Sequence, residues 1–304
     1  MTRCDLRLCL LLTALPLHAE PVDGNARIQS SRGVSAVITT TSRLAGAIDS
    51  FQWSGREFIN SSDHGRQLQS ACSFDNTRSA GAETFNPTEA GSRDDGEGAT
   101  TTSRLLEINT HDNILHTRTQ MAFWLAPGER SEGQLARNTN RLSDYLLTKD
   151  VRIGVLRWPQ ALDYQVTFTL PAEALHTNAQ FEALTGYMPE AFSSFWQFNS
   201  ASGKLQPLSD GPGEITNSIV LATPDGNYAM GIFAPPQSQH NTRGPMFGRW
   251  KFDWAHVVKW NCVYRVHDPQ SIRDGDYRYR MVVPFGTLAQ VEKMLKEWQS
   301  LSIN

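Results

Sequence analysis

The run Asp163–Leu170 limits the possible folds of this chain more than any other segment, because Tyr164, Val166, Phe168 and Leu170 alternate there with Gln165, Thr167 and Thr169. Alternation of this kind sends successive side chains to opposite faces, so the run is a half-buried strand that needs a second apolar layer against it. Weaker versions of the same pattern recur. Val34–Thr40 is β-branched, and Gly46–Asn60 reads as a hairpin turning at Ser54-Gly55, between Ile48/Phe51/Trp53 and Phe58/Ile59. Ile114–Leu125 alternates in part until Pro127-Gly128 stops it, and Gln180–Tyr187 ends at Pro189. Ser218–Phe233 is a second hairpin with its turn at Pro224-Asp225-Gly226-Asn227, and Val257–Val266 and Tyr277–Phe285 complete the set. Only the C-terminus reads as a helix: Thr287 and Gln290 fit a capping box, and Leu288, Val291, Leu295 and Trp298 fall on one face. Strands and turn signals without intervening helices argue against a parallel βαβ sheet, and no fixed-period repeat points to a propeller or solenoid. The expected fold class is all-β: a large antiparallel β-sandwich with a C-terminal helix packed on one face or end.

The first residues stand outside that fold. Arg3 and Arg7 precede the apolar run Leu8–Leu17, and Leu17-His18-Ala19 ends in a small residue suited to signal peptidase. Residues 1–19 are therefore expected to be a secretory signal peptide and residues 20–304 a single β domain, placed in the periplasm or outside the cell. The apolar run is too short to span a bilayer, and no later stretch approaches that length, so no membrane insertion is expected. The chain's 28 basic and 31 acidic side chains, less two Arg and one Asp of the leader, leave a net charge of −4. That mild acidity gives no electrostatic footprint for nucleic acid. Cys72 and Cys262 remain after the leader; they are either one disulfide or two separate buried thiols, and they lack the spacing of a zinc site.

Polar side chains concentrate in Ser61–Ser70. A strand over Arg66–Ser70 would project Gln67 and Gln69 from one face and Leu68 from the other, and amides beside the Arg66 guanidinium suit sugar hydroxyls. Asp63 and His64 could form an acid/base pair; alternatively Asp63 caps a turn and the glutamines face water. The long loop that follows, Thr77–Thr102, carries Glu83, Asn86, Glu89, Arg93, Asp94 and Asp95. It is a source of carboxylates for glycoside cleavage, a calcium-binding loop without EF-hand spacing, or a solvated loop. Among the eight tryptophans, Trp196 and Trp254 lie in loop-like contexts and are the preferred sugar-stacking platforms, with Trp124 and Tyr187 as further aromatics; burial is the default for any one of them. Glu182 shares a strand face with Gln180, and Asp210-Gly-Pro-Gly-Glu214 could present either acid at a rim. No G-x-S-x-G elbow, H-E-x-x-H, P-loop or dinucleotide fingerprint occurs, so serine esterase, zincin, kinase and nicotinamide oxidoreductase readings lose their support; no cofactor is expected and no metal ligand is assigned, with calcium in the long loop left open.

The segment Gly46-Ala-Ile-Asp-Ser-Phe-Gln-Trp-Ser-Gly-Arg-Glu-Phe-Ile59, followed by Asp63-His-Gly-Arg-Gln-Leu-Gln69, resembles the opening of galactose-mutarotase-like proteins. The resemblance implies a large twisted antiparallel sandwich and work on carbohydrate, as in aldose epimerases and the β domains of polysaccharide lyases and glycosidases. An epimerase's catalytic His and Glu have no matching motif here, although His176 and Glu214 are available. The leading expectation is a secreted glycoside hydrolase acting on an oligo- or polysaccharide. Glu89, Asp63 and His64 would carry the chemistry, with Arg66, Gln67, Gln69, Asn86, Arg93, Trp124, Glu182, Tyr187, Trp196, Asp210, Glu214 and Trp254 binding substrate. A lyase would instead use His64 or Tyr187 as base and Arg66 against a uronate, and a non-catalytic sugar-binding or envelope protein is the rival from another class.

Overall fold

The computed structural model describes residues 22–30, 33–75, 83–155, 157–172, 175–235, 237 and 241–302. The expected leader lies outside them. Strands dominate, and their pairings form two antiparallel layers. In the first, neighbours run Ala26–Gln29, Ala36–Thr40, Ile48–Trp53, Leu68–Phe74, Asn178–Pro189, Val257–His267, Thr242–Phe252 and Gly213–Ile215. In the second they run Arg104–His111, Ile114–Phe123, Leu142–Val155, Trp158–Leu170, Gly275–Gly286, Ala229–Gly231, Ile219–Ala222, Ser194–Asn199 and Lys204–Pro207. The two-residue strand Pro87–Thr88 pairs with both Leu68–Phe74 and Ile114–Phe123, joining the layers along one edge. The all-β sandwich expected from the alternation is the fold of this chain.

Aromatic side chains of the two inner faces meet across the core. Phe168 lies 5.1 Å from Phe181, Phe51 4.8 Å from Phe285, and Tyr264 stacks on Tyr279 at 4.3 Å. The run read first from sequence supplies Tyr164, Val166, Phe168 and Leu170 to this core. The helix Leu288–Ser302 starts with the expected capping box, in which Thr287 N–H donates to Gln290 Oε1 at 2.8 Å and Gln290 N–H to Thr287 Oγ1 at 3.3 Å. Val291, Met294, Leu295 and Trp298 bury against Ala161, Val220, Ala229 and Val282, so the helix covers the outer face of the second layer. Among the described residues no helix covers the outer face of the first layer, and the polar site lies there. No helix among the described residues is long and apolar enough to cross a membrane.

Cys72 and Cys262 are free and buried. Cys72 is on Leu68–Phe74 and Cys262 on Val257–His267, with Asn178–Pro189 between them. Two strand spacings, about 9–10 Å, exceed the reach of a disulfide. Two sequence readings are also corrected. Trp196, taken to lie in a loop, is in the strand Ser194–Asn199 and packs against the helix-side core. Asp210 is exposed on the Gly/Pro loop and lines no part of the cleft described below.

Candidate functional site

The floor of the site is set by strand parity. In Val257–His267 the side chains of Val258, Trp260, Cys262, Tyr264 and Val266 enter the core, which turns Lys259, Asn261, Arg265 and His267 to the outer face. In Asn178–Pro189, Ala179, Phe181 and Ala183 enter the core first and then Leu184 and Met188 do, because the register shifts between Glu182 and Leu184. A bulge of this kind re-aims side chains. It brings Glu182, from the even-numbered half, onto the same face as Thr185 and Tyr187 from the odd-numbered half. Gly186 keeps this strand close to its neighbour: a Cβ there would lie 2.6 Å from the Trp260 ring.

Lys259 sits at the centre. It is directly opposite Tyr187 on one neighbouring strand and Trp250 on the other, and its Nζ lies 5.1 and 5.0 Å from those two ring centroids. Held between aromatic faces, the ammonium reaches Glu182 Oε2 at 3.4 Å. The same carboxylate oxygen accepts the Thr185 hydroxyl at 2.7 Å. The opposite wall is the loop containing Glu83 and Asn86. Phe85 anchors it on Phe123 at 4.6 Å, and Asn86 C=O accepts Trp124 N–H at 2.8 Å.

These residues bound a cleft with two arms. A 580 Å³ cavity is lined by Asp63, Arg66, Gln69, Trp124, Tyr187 and Trp254, among others. A 660 Å³ cavity continues past Asp75, Gln180, Arg243, Trp250 and Arg265. Glu83, Asn86, Glu182, Phe252 and Lys259 line both, so the two glutamates stand where the arms meet.

Their surroundings push them in opposite directions. Burial raises the Glu182 pKa, but Lys259 and the Thr185 hydroxyl outweigh it and hold the carboxyl below the usual range. Glu83 is open to solvent at the junction, yet the crowded concave wall raises its pKa, with Lys259 opposing and Glu182 adding to the rise. Lys259 is raised because Glu182, Tyr187 and Glu83 together outweigh its burial. Tyr187 is also pushed up, by burial against the opposing pull of Lys259, so its phenol stays protonated. A carboxylate kept ionised beside a carboxyl biased toward protonation is the arrangement that general acid–base chemistry requires.

Of the residues expected from sequence, Asp63, Arg66, Gln69, Asn86, Trp124, Glu182, Tyr187 and Trp254 do line the cleft. Asp63 acts there as a turn cap: Oδ1 accepts Gly65 N–H at 2.8 Å, and Oδ2 pairs with Arg66 Nε at 3.0 Å. Arg66 in turn lies 5.7 Å from the Trp254 ring, which is 80% exposed at the rim.

The other expectations are corrected. Glu89 is sealed in the interior, where it pairs with the equally buried Lys149 and accepts Ser70 N–H at 3.0 Å. Water and substrate do not reach it, so it is a structural ion pair. His64 is buried with Nδ1 2.7 Å from Gly96 O and Nε2 2.9 Å from Arg43 O, leaving neither nitrogen free for proton transfer. Gln67 is buried beneath the turn and donates back to Asp63 O, because the strand begins only at Leu68. Arg93 pairs with Glu129 at 2.7 Å outside the cleft, and Glu214 binds Arg265 through both oxygens at 2.7 and 2.9 Å behind the second arm.

Within the acidic loop, Asp95 caps its own turn and holds Thr102, and Asp94 pairs with Arg141, so their oxygens are spent inside the loop and on its neighbour. No three metal-binding side chains converge among the described residues. His176, buried between Tyr145 O–H at 2.6 Å and Asp75 at 2.7 Å, is likewise outside the cleft lining. Sequence reasoning missed Lys259 altogether. It lies beside the Trp260-Asn261 pair and is the first outward charge of a clearly alternating strand.

No family model matches the sequence, and no curated protein matches it. Solved structures that resemble the chain include the Slr1438 protein of Synechocystis sp. PCC 6803, at 9% identity over 91% of this chain and 100% of that one, with a TM-score of 0.47. An α-galactosidase from Lactobacillus brevis is similar at 9% identity over 87% of this chain and 39% of that chain, with a TM-score of 0.44. A candidate aldose 1-epimerase from Klebsiella pneumoniae is similar at 10% identity over 88% and 81%, with a TM-score of 0.43. Likenesses this distant carry no argument about the site, whose reading rests on its own geometry.

Proposed function

We propose that this chain is a secreted glycoside hydrolase that cleaves within an oligo- or polysaccharide laid along the two-armed cleft. One observation carries the reading: Glu83 and Glu182 both line the junction of two cavities, each large enough for sugar units. A saccharide spanning both arms puts a glycosidic bond between the glutamates. Glu83 gives its proton to the leaving oxygen as the C–O bond breaks, while ionised Glu182 takes a proton from the water that attacks the anomeric carbon. Trp124, Trp254 and Tyr187 offer faces for the C–H sides of the sugar rings, and Gln69 and Asn86 offer amides for their hydroxyls. Elimination is disfavoured, because His64 has no free nitrogen and the Tyr187 phenol is pushed away from ionisation. The signal-peptide pattern expected over residues 1–19 supports action outside the cytoplasm.

The test is to incubate the mature protein with a polysaccharide panel, following reducing ends and near-ultraviolet absorbance together. Reducing ends without an absorbing product, lost in Glu182→Gln, are the expected result. An unsaturated product would replace hydrolysis by elimination, and binding without any cleavage would leave a sugar-binding protein.

A further inference from the structure

We infer that the 660 Å³ arm is a subsite for a sugar unit bearing a negative charge, a uronate carboxylate or a sulfate ester, and that Arg243 is its ligand; this rests on the hydrolase reading above. Most charged side chains lining that arm already have partners; Glu83, at the junction, is reserved as the proton donor of the reading above. Asp75 is spent: Oδ1 accepts Thr177 N–H at 2.8 Å and Asn178 N–H at 2.9 Å, and Oδ2 faces His176 Nδ1 at 2.7 Å. The Glu182 charge is balanced by the Lys259 ammonium, 3.4 Å from its Oε2. Arg265 is spent twice, on Glu214 through both terminal nitrogens and on Gln180 Oε1 at 2.9 Å through Nε. Arg243 differs from these: it is exposed, lines the arm, and has no ion-pair or hydrogen-bond partner among the described residues.

The position of Arg243 adds a second observation. It is directly opposite Arg265 in the register of the two strands, so two guanidinium groups face the same side of the sheet. Like charges directly opposite on neighbouring strands are unfavourable. Glu214 compensates Arg265, and no described residue forms an ion pair with Arg243. An anion in the arm would complete the arrangement, because the planar fork of Arg243 can offer two parallel N–H donors to a carboxylate or sulfate. The neutral part of the same sugar unit would rest against Trp250, and the scissile bond would follow at Glu182.

Calorimetry on the mature chain tests this. The probes are short fragments of polygalacturonate, hyaluronan and heparan sulfate, each beside its carboxyl-reduced or desulfated counterpart. At least one acidic fragment should bind about ten-fold tighter than its counterpart, the gain that one charge-assisted contact supplies, and the advantage should shrink as salt rises. The carboxyl-reduced and desulfated arms tell uronate from sulfate. Arg243→Gln should bring the acidic fragment down to its counterpart's affinity, and Arg243→Lys should keep part of the difference. Equal binding of acidic and neutral forms, an unchanged preference in Arg243→Gln, or binding of neutral saccharides alone overturns the inference. The two readings fail separately. Cleavage of a neutral polysaccharide that disappears in Glu182→Gln leaves the hydrolase standing without an anionic subsite, whereas no binding of any saccharide removes both.

Discussion

Two Glu–Lys pairs lie on either side of the Leu68–Phe74 strand, and they differ in access. Glu89 and Lys149 have side chains 0% exposed, while Glu182 and Lys259 are 23% and 14% exposed at the cleft. The chemistry is the same and the consequence is opposite. The sealed pair satisfies itself: Lys149 also donates to Gly46 O at 2.6 Å, and Glu89 takes Ser70 N–H, so the pair ties the loop to the sheet. The open pair keeps one carboxylate ionised where the cleft reaches it, with Glu83 lining the same junction. A charged pair in a protein of this kind therefore has to be judged by what can approach it, not by the residues that compose it.

Four variants, two single and two double, separate the two pairs. Glu182→Gln should lower kcat by about 10³-fold with little change in melting temperature, since removing a general base costs on that order. Steady-state assay beside a thermal melt reads both quantities. Glu89→Gln should do the reverse, costing about 3–5 kcal/mol of stability in urea unfolding because Lys149 is left buried and uncompensated, while each folded molecule stays active. Replacing Glu89 and Lys149 together by Leu and Met should recover much of that loss; the same double replacement at Glu182 and Lys259 should spare the fold and abolish turnover.

Lys259→Met addresses the pH profile. The proposed mechanism needs Glu182 ionised and Glu83 protonated, so the wild-type profile should be a bell, with its acid limb shifted down from the ordinary glutamate value and its alkaline limb shifted up from it. Without the ammonium, burial acts unopposed on Glu182, and the acid limb of kcat/KM should move to higher pH. An unmoved limb would detach Lys259 from the chemistry. The smallest effect is expected from Trp254→Ala at the exposed rim, which should raise KM by the equivalent of about 1 kcal/mol and leave kcat alone.

Much of the fold was legible wherever one face of a strand is apolar without interruption. Asp163–Leu170, Tyr277–Phe285 and the Ser54-Gly55 hairpin are of this kind, and both turn residues there have positive φ as a tight hairpin needs. Leu142–Val155 escaped because its inward positions include Ser143 and Lys149 among Tyr145, Leu147, Val151 and Ile153, so buried polar groups hide the period. Thr242–Phe252 escaped because Gly244-Pro245 and Gly248 interrupt it in sequence, while pairing with Val257–His267 holds it as a strand.

The site was legible in its composition and not in its roles. The loop after Leu68–Phe74 does supply a cleft carboxyl, but it is Glu83, and Glu89 points inward to a lysine that is distant in sequence. No local pattern announces that pairing. Glu182 and Tyr187 sit on strand positions of opposite parity, and only the bulge at Ala183-Leu184 brings them together.

The most direct measurement is a carboxyl ¹³C NMR titration of the two cleft glutamates, assigned with Glu83→Gln and Glu182→Gln, since it needs no substrate. Glu182 should titrate below the ordinary glutamate value of 4.5 and Glu83 above it, with Glu182 moving up in Lys259→Met. Both carboxyls titrating together near 4.5, or Glu182 above Glu83, would contradict this.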